Sequence, residues 1–325
     1  MLSRVAERVY WLGRYMERVE NTARLINVNS NLLLDLPRGS QIGWSSLVDI
    51  TGASEEFAEK ESKGDEISII RFLIADLNNP VSIISSLKAA RENARTTREI
   101  IPSESWELIN NLYFFAKENA SKSVSRAARS QFLIHIIHQA QQLTGGLAGT
   151  MSHTNAYEFI RLGRNLERAD MTTRIVDVGT VNLITNLGNK NSQADSLEPF
   201  INILWMSVLQ SLSAYQMYRQ NVLDRVNGED VVDFLLKNPK FPRAVASCFK
   251  QLLNCLKQLP NADEALRTVA SAQRHIDAAN IEEMLAEETL HDYIDDVQLN
   301  ISNIHNEIAA AWFLPSVTPS SASSA

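Results

Sequence analysis

The chain has 325 residues, 45% of them hydrophobic, with 31 basic against 38 acidic side chains and a net charge of −7. It can therefore bury a large core, and nonspecific binding to nucleic acid or to an anionic membrane is not its expected activity. Twelve glycines and nine prolines leave too little turn punctuation for a sandwich or barrel of many short strands.

The first element reads as a helix of about 30 residues, because Val5, Val9, Leu12, Met16, Val19, Ala23 and Ile26 follow a 4-3-4-3-4-3 spacing that makes one apolar stripe. Charges recur every few residues and there is no apolar h-region, so a signal peptide is not expected here. No apolar run in the chain approaches the 18 or so residues of a spanning helix. Helices are then expected over 65–77, 81–100, 103–119 and 121–149. Ser103 after Pro102 marks a start, and Gly145-Gly146 marks an interruption. Phe159, Leu162, Leu166, Ala169, Thr173 and Val176 reproduce the first stripe in a second long helix. A polar loop over 188–193 follows, then helices over 196–226, 229–237, 241–259, 262–279 and 281–313, the fourth of these starting beyond Pro260. Residues 315–325 are low in complexity and are expected to be disordered. Cys248 and Cys255 lie seven apart in a helical pattern, about 10 Å, too far for an intrahelical disulfide. They read as core residues of a protein in the reducing cytoplasm.

The two long helices match each other. Leu12-Gly13-Arg14 and Glu17-Arg18 reappear as Leu162-Gly163-Arg164 and Glu167-Arg168, and eight of seventeen positions are identical between 12–28 and 162–178. Chance gives about one. Fainter matches, Trp44 with Trp205 and Phe72-Leu73 with Phe234-Leu235, follow at an offset near 161 or 162. The expected fold is all-α: two tandem copies of a multi-helix unit, about 1–152 and 153–314, packed into one helical bundle body with pseudo-twofold symmetry.

Identities between the copies fall mainly on polar positions. Gly13, Glu17, Glu20 and Arg24 form a row beside the apolar stripe, matched by Gly163, Glu167, Asp170 and Arg174. Arg14, Arg18, Arg164 and Arg168 lie a further 100° round. A mid-helix glycine costs about 1 kcal/mol relative to alanine, so close approach of another helix is expected at Gly13 and Gly163. Two readings of the polar row stand side by side. In one, Glu17 and Glu167 bond arginines across the interface of the halves in a buried ion-pair lattice. In the other, the row lines a polar cleft that holds a carboxylate or phosphate. Neutralising both glutamates spares the fold in the second reading and undermines it in the first.

A second charged cluster holds Arg91, Glu92, Arg95, Arg98 and Glu99, with the three arginines on one helical face and the two glutamates on another. Its counterpart around Cys248 lacks these charges, which points either to an anion contact specific to one half or to an ordinary solvated charged helix. Signals for metal and nucleophile chemistry are weak. Glu288 and His291 make a single Glu-x-x-His where a bundle di-iron site needs two. His135 and His138 read as packed or partly exposed side chains. No glycine-rich phosphate loop is present. No cofactor or metal is expected.

At the doubled Leu-Gly-Arg-x-x-Glu-Arg motif, the chain resembles the alpha-E domain family, bacterial all-helical proteins of unassigned function named for a Glu-Arg motif. Ser3 to Arg18, Asn79-Pro80-Val81-Ser82, Ala90 to Arg95 and Leu162 to Asp170 carry the resemblance, which extends over 1–314. At Phe241-Pro242-Arg243-Ala244 this chain has Ala where the family usually has Ser. The resemblance implies association with a circularly permuted ATP-grasp protein, and with a transglutaminase-like peptidase or proteasome-like hydrolase. The expected role is a non-ATPase partner in peptide or amide ligation whose Arg/Glu-lined polar cleft binds an anionic substrate or docks the partner itself. The alternatives are an enzyme using the paired carboxylates as acid/base groups or metal ligands, and a pure assembly scaffold.

Overall fold

The computed structural model describes residues 2–35, 43–60, 64–188 and 198–314. Among them the chain forms fifteen α-helices and one short 3-10 turn, with no strand. They are, in order, α1 (Ser3–Asp35), α2 (Ser45–Thr51), α3 (Ser54–Lys60), α4 (Glu66–Ile74), α5 (Ile83–Thr96), α6 (Ser103–Asn119), the 3-10 turn (Lys122–Val124), α7 (Arg126–Thr150), α8 (Asn155–Gly188), α9 (Glu198–Ser211), α10 (Tyr215–Asn221), α11 (Gly228–Lys237), α12 (Val245–Leu256), α13 (Asp263–Asp277), α14 (Ile281–Ala286) and α15 (Leu290–Trp312).

The apolar stripes of the two long helices are buried: of the residues named above, only Val5 in the first turn is partly exposed. Helix α5 packs on α1 and α6, α6 on α7, and α7 back on α1. Likewise α12 packs on α8 and α13, α13 on α15, and α15 back on α8. The two rings of four helices meet where α1 and α8 lie side by side and run in the same direction. A Cβ built on Gly13 would collide with the carbonyl oxygen of Ile160, and one on Gly163 with that of Tyr10. The two contacts are reciprocal and share the 150-residue offset of the sequence match, and they supply the close helix approach that the two glycines implied. At one end of this seam the Tyr10 hydroxyl meets His305 Nδ1 of α15 at 2.9 Å. The rings of Phe313 and Trp312 pack against Tyr10 and Phe159 respectively, tying α15 to both long helices.

Several expected boundaries change. Gly145 and Gly146 do not interrupt α7, which runs through them, because neither lies against a neighbour and an exposed helical glycine is only weakly unfavourable. The 196–226 and 281–313 spans each divide, at Ser213 and Glu288, both in left-handed backbone conformation. Helix α5 stops at Thr96, so Arg98 and Glu99 lie in the following turn and not on a helical face with Arg91 and Glu92. The two-turn helices α2 and α3, missed in the sequence, are too short to display a period. Most of the expected 188–193 loop and the 315–325 tail lie outside the described residues. No helix among the described residues is long and apolar enough to cross a membrane.

Candidate functional site

The polar row of α1 and that of α8 face one another across the glycine contact. Glu167 accepts from Arg14 Nε at 2.7 Å and from Arg18 Nε and Nη2 at 2.6 and 3.1 Å. Glu17 accepts from Arg168 Nε and Nη2 at 2.9 and 2.8 Å, and from Arg243 Nη1 at 2.8 Å. Glu17 and Glu167 are only 3% and 2% exposed. Burial pushes both carboxyls up, but the arginines outweigh it: Arg168 and Arg243 bring Glu17, and Arg18 and Arg14 bring Glu167, from 4.5 down to about 2. A carboxylate held that low is a poor general base at neutral pH, and both oxygens of each are engaged. The geometry is that of the buried ion-pair lattice.

The lattice nonetheless borders a cavity. On the Glu167 side a space of about 240 Å³ opens, lined by Arg14, Arg18 and Arg174 with Glu167 and Asp170, and closed by Thr22, Thr51, Gly52, Val81 and Met171. The lining charges sum to one excess positive. Asp170 takes Arg174 through Nε at 3.1 Å, Glu167 takes Arg14 only through Nε, and Arg18 Nη1 bonds neither, so several guanidinium N–H groups at the cavity are bonded to no carboxylate. The hydroxyl of Thr22 is buried and has no hydrogen bond among the described residues. Arg174 also packs against Gly52, the left-handed cap of α2, where a Cβ would lie 2.7 Å from Nη1. Arg14 is stacked over Trp11 and Arg18 over Tyr15, at 5.1 and 5.6 Å from the ring centroids, which fixes where their free N–H groups point.

On the Glu17 side the corresponding space is filled. Arg243 enters from the start of α12 and bonds Glu17, Glu20 Oε1 at 2.8 Å and Asn21 Oδ1 at 2.6 Å. Arg24 and Gln141 donate to the same Glu20 oxygen, at 2.8 and 3.3 Å. The Arg164 side chain has no hydrogen bond among the described residues; burial and then the charge of Arg168 shift its guanidinium downward. Sequence reasoning missed Arg243, Thr22 and Val81. The signal for Arg243 was available: it follows Pro242 as Val81 follows Pro80, at the 162-residue offset of the fainter matches.

Of the expected site residues, Arg14, Glu17, Arg18, Glu20, Arg24, Arg164, Glu167, Arg168, Asp170 and Arg174 gather along the α1/α8 seam. Arg91, Glu92 and Arg95 do not line the cavity. Arg91 turns instead to α6, donating to Asn110 Oδ1 at 2.8 Å beneath the rings of Trp106, Tyr113 and Phe114, and Arg95 pairs with Glu92 in solvent. His291 is placed not with Glu288 but against Asp177 Oδ1 of α8, at 2.7 Å. His135 and His138 are exposed. Cys248 and Cys255 are buried and unpaired, and burial lifts the Cys248 thiol to about 12, out of reach of nucleophilic chemistry.

Residues 1–313 match Alpha-E, described as a predicted alpha-helical domain with a conserved ER motif. Uncharacterized proteins of Mycobacterium bovis and Mycobacterium tuberculosis are 21% identical to this chain, over 85% of it and 32% of their own length. The chain thus spans about a third of the length of the curated relatives it matches. No solved structure matches it.

Proposed function

This chain belongs to the Alpha-E family, and from that premise we propose that it is a non-ATPase helical partner in an ATP-grasp-linked peptide or amide ligation system, with the cavity beside Glu167 holding an anionic substrate group. The observation that carries the reading is the surplus of donors there: three arginines face two carboxylates, and the Thr22 hydroxyl is unpaired. Arginine forks held by buried carboxylates and aromatic faces are pre-aimed, so little side-chain entropy is lost when an oxyanion enters. The sequence contains no phosphate-cradling glycine loop, which leaves ATP chemistry to the partner. The family resemblance supplies the identity proposed for it: a circularly permuted ATP-grasp protein, with a transglutaminase-like peptidase or proteasome-like hydrolase as further members, in the cytoplasm.

Affinity purification of the tagged full chain from its native cell, with mass spectrometry of what comes with it, tests the assignment. Recovery of an ATP-grasp enzyme is the expected result, and its absence overturns the partner role. A Thr22→Val/Arg174→Ala double variant removes donors from the cavity without unpairing Glu167. Cells carrying it are expected to lose the system's product while the chain keeps its helicity. Unchanged product would remove the cavity from the function.

A further inference from the structure

The α1/α8 seam has two quasi-equivalent places for a ligand, and the chain itself occupies one of them. Pro80-Val81-Ser82 leads into α5, which packs on α1; Pro242-Arg243-Ala244 leads into α12, which packs on α8. The backbone at the two helix starts is alike, with φ −63° and ψ 155° at Ser82 and φ −68° and ψ 142° at Ala244. On the α12 side Thr172 Oγ1 donates to the Arg243 carbonyl at 2.8 Å, and the Arg243 side chain crosses to Glu17, Glu20 and Asn21. On the α5 side the residue in that position is Val81. The threonine beside it, Thr22, is unbonded, and Asp170 and Met171 stand where Glu20 and Asn21 stand in the other half.

The vacated place is not short of a cation. Arg14 closes the coordination of Glu167, whereas its counterpart Arg164 is left without a side-chain hydrogen bond because Arg243 and Arg168 already fill Glu17. What remains beside Val81 is volume and spare donors. We infer that Arg243 is a built-in stopper, that the chain has a single oxyanion site, and that Val81 is the residue that keeps it open. This rests on the cavity reading above and adds to it the site's number, the residue that determines its occupancy and the ligand class. That class is a carboxylate or phosphate on a group compact enough for about 240 Å³, with Val81 and Met171 against its apolar part.

Calorimetric titration of the full chain, once with inorganic phosphate and once with glutarate, tests this and separates the two oxyanion sources. Wild type is expected to bind one equivalent of at least one of them. Val81→Arg places in the open half the residue that fills the other. It is expected to keep the helix content of wild type and to bind at least about tenfold more weakly. If wild type binds neither anion, the cavity reading itself fails. If wild type binds but Val81→Arg binds within about twofold of it, or if two equivalents bind per chain, the stopper inference fails while an anion site survives.

Discussion

Gly13 and Gly163 show at single-residue scale how the seam is specified. Alanine is the better helix former by about 1 kcal/mol, and at Gly145, Gly146 and Gly149, where a Cβ would meet nothing within 4 Å, that preference is free to act. At Gly13 and Gly163 the added methyl would meet a backbone carbonyl of the facing helix, which cannot rotate aside as a side chain can. Gly146→Ala is therefore expected to raise stability by about 0.5–1 kcal/mol, and Gly13→Ala or Gly163→Ala to lower it by about 3 kcal/mol or more. Denaturant melts followed by circular dichroism decide it. A neutral Gly13→Ala would mean that α1 and α8 do not approach so closely.

At the scale of elements, the starts of α5 and α12 form a natural comparison. Ser82 caps α5, its Oγ accepting from Ser85 N at 3.1 Å and donating to the Asp76 carbonyl at 2.6 Å. Ala244 holds the same backbone conformation at the start of α12 with no side-chain cap. Ala244→Ser is thus expected to add about 1 kcal/mol, read as a rise in the melting midpoint with no change in helix content; a fall would mean that the buried site cannot accept the hydroxyl. Elements of this length were largely legible in the sequence: α1 and α8 through unbroken apolar stripes, α6 and α13 through the prolines before them. What was illegible has physical causes. Helices α2 and α3 span too few turns to show periodicity, and the breaks at Ser213 and Glu288 occur without glycine or proline. The polar row could be read as facing something, but whether it faced solvent or another helix depends on long-range pairing, and so the lattice and the cleft stayed open alternatives. Arg243, which fills one side, lies 226 residues from Glu17.

At the scale of the whole molecule, the buried carboxylates couple the seam to pH. Glu17 and Glu167 titrate near 4.5 when unfolded and at about 2 when folded. A folded value below the unfolded one means that this stability is fully present above pH 4.5 and is lost as pH falls toward 2. The unfolding free energy of wild type should therefore decline across that window. In Glu17→Gln/Glu167→Gln the decline should be shallower and start from a lower neutral value, because several arginines would face buried amides, at a cost of about 3–5 kcal/mol per glutamate replaced. Urea melts at a series of pH values measure both effects, and a double variant as stable as wild type would show that the ion pairs are dispensable. The same contacts bear on whether the two rings of helices are separable. Arg14 and Arg18 reach from the first ring to Glu167, Arg168 and Arg243 reach back to Glu17, and each glycine at the contact receives the other ring's backbone. Residues 1–152 or 153–314 produced alone would expose the apolar flank of a long helix together with charges whose partners are on the other piece. We propose that residues 1–314 are one domain. Each half alone is then expected to lack a cooperative thermal transition, and the two co-expressed halves to co-purify and melt together. A half that melts cooperatively as a helical monomer would instead make the seam an interface between two autonomous bundles.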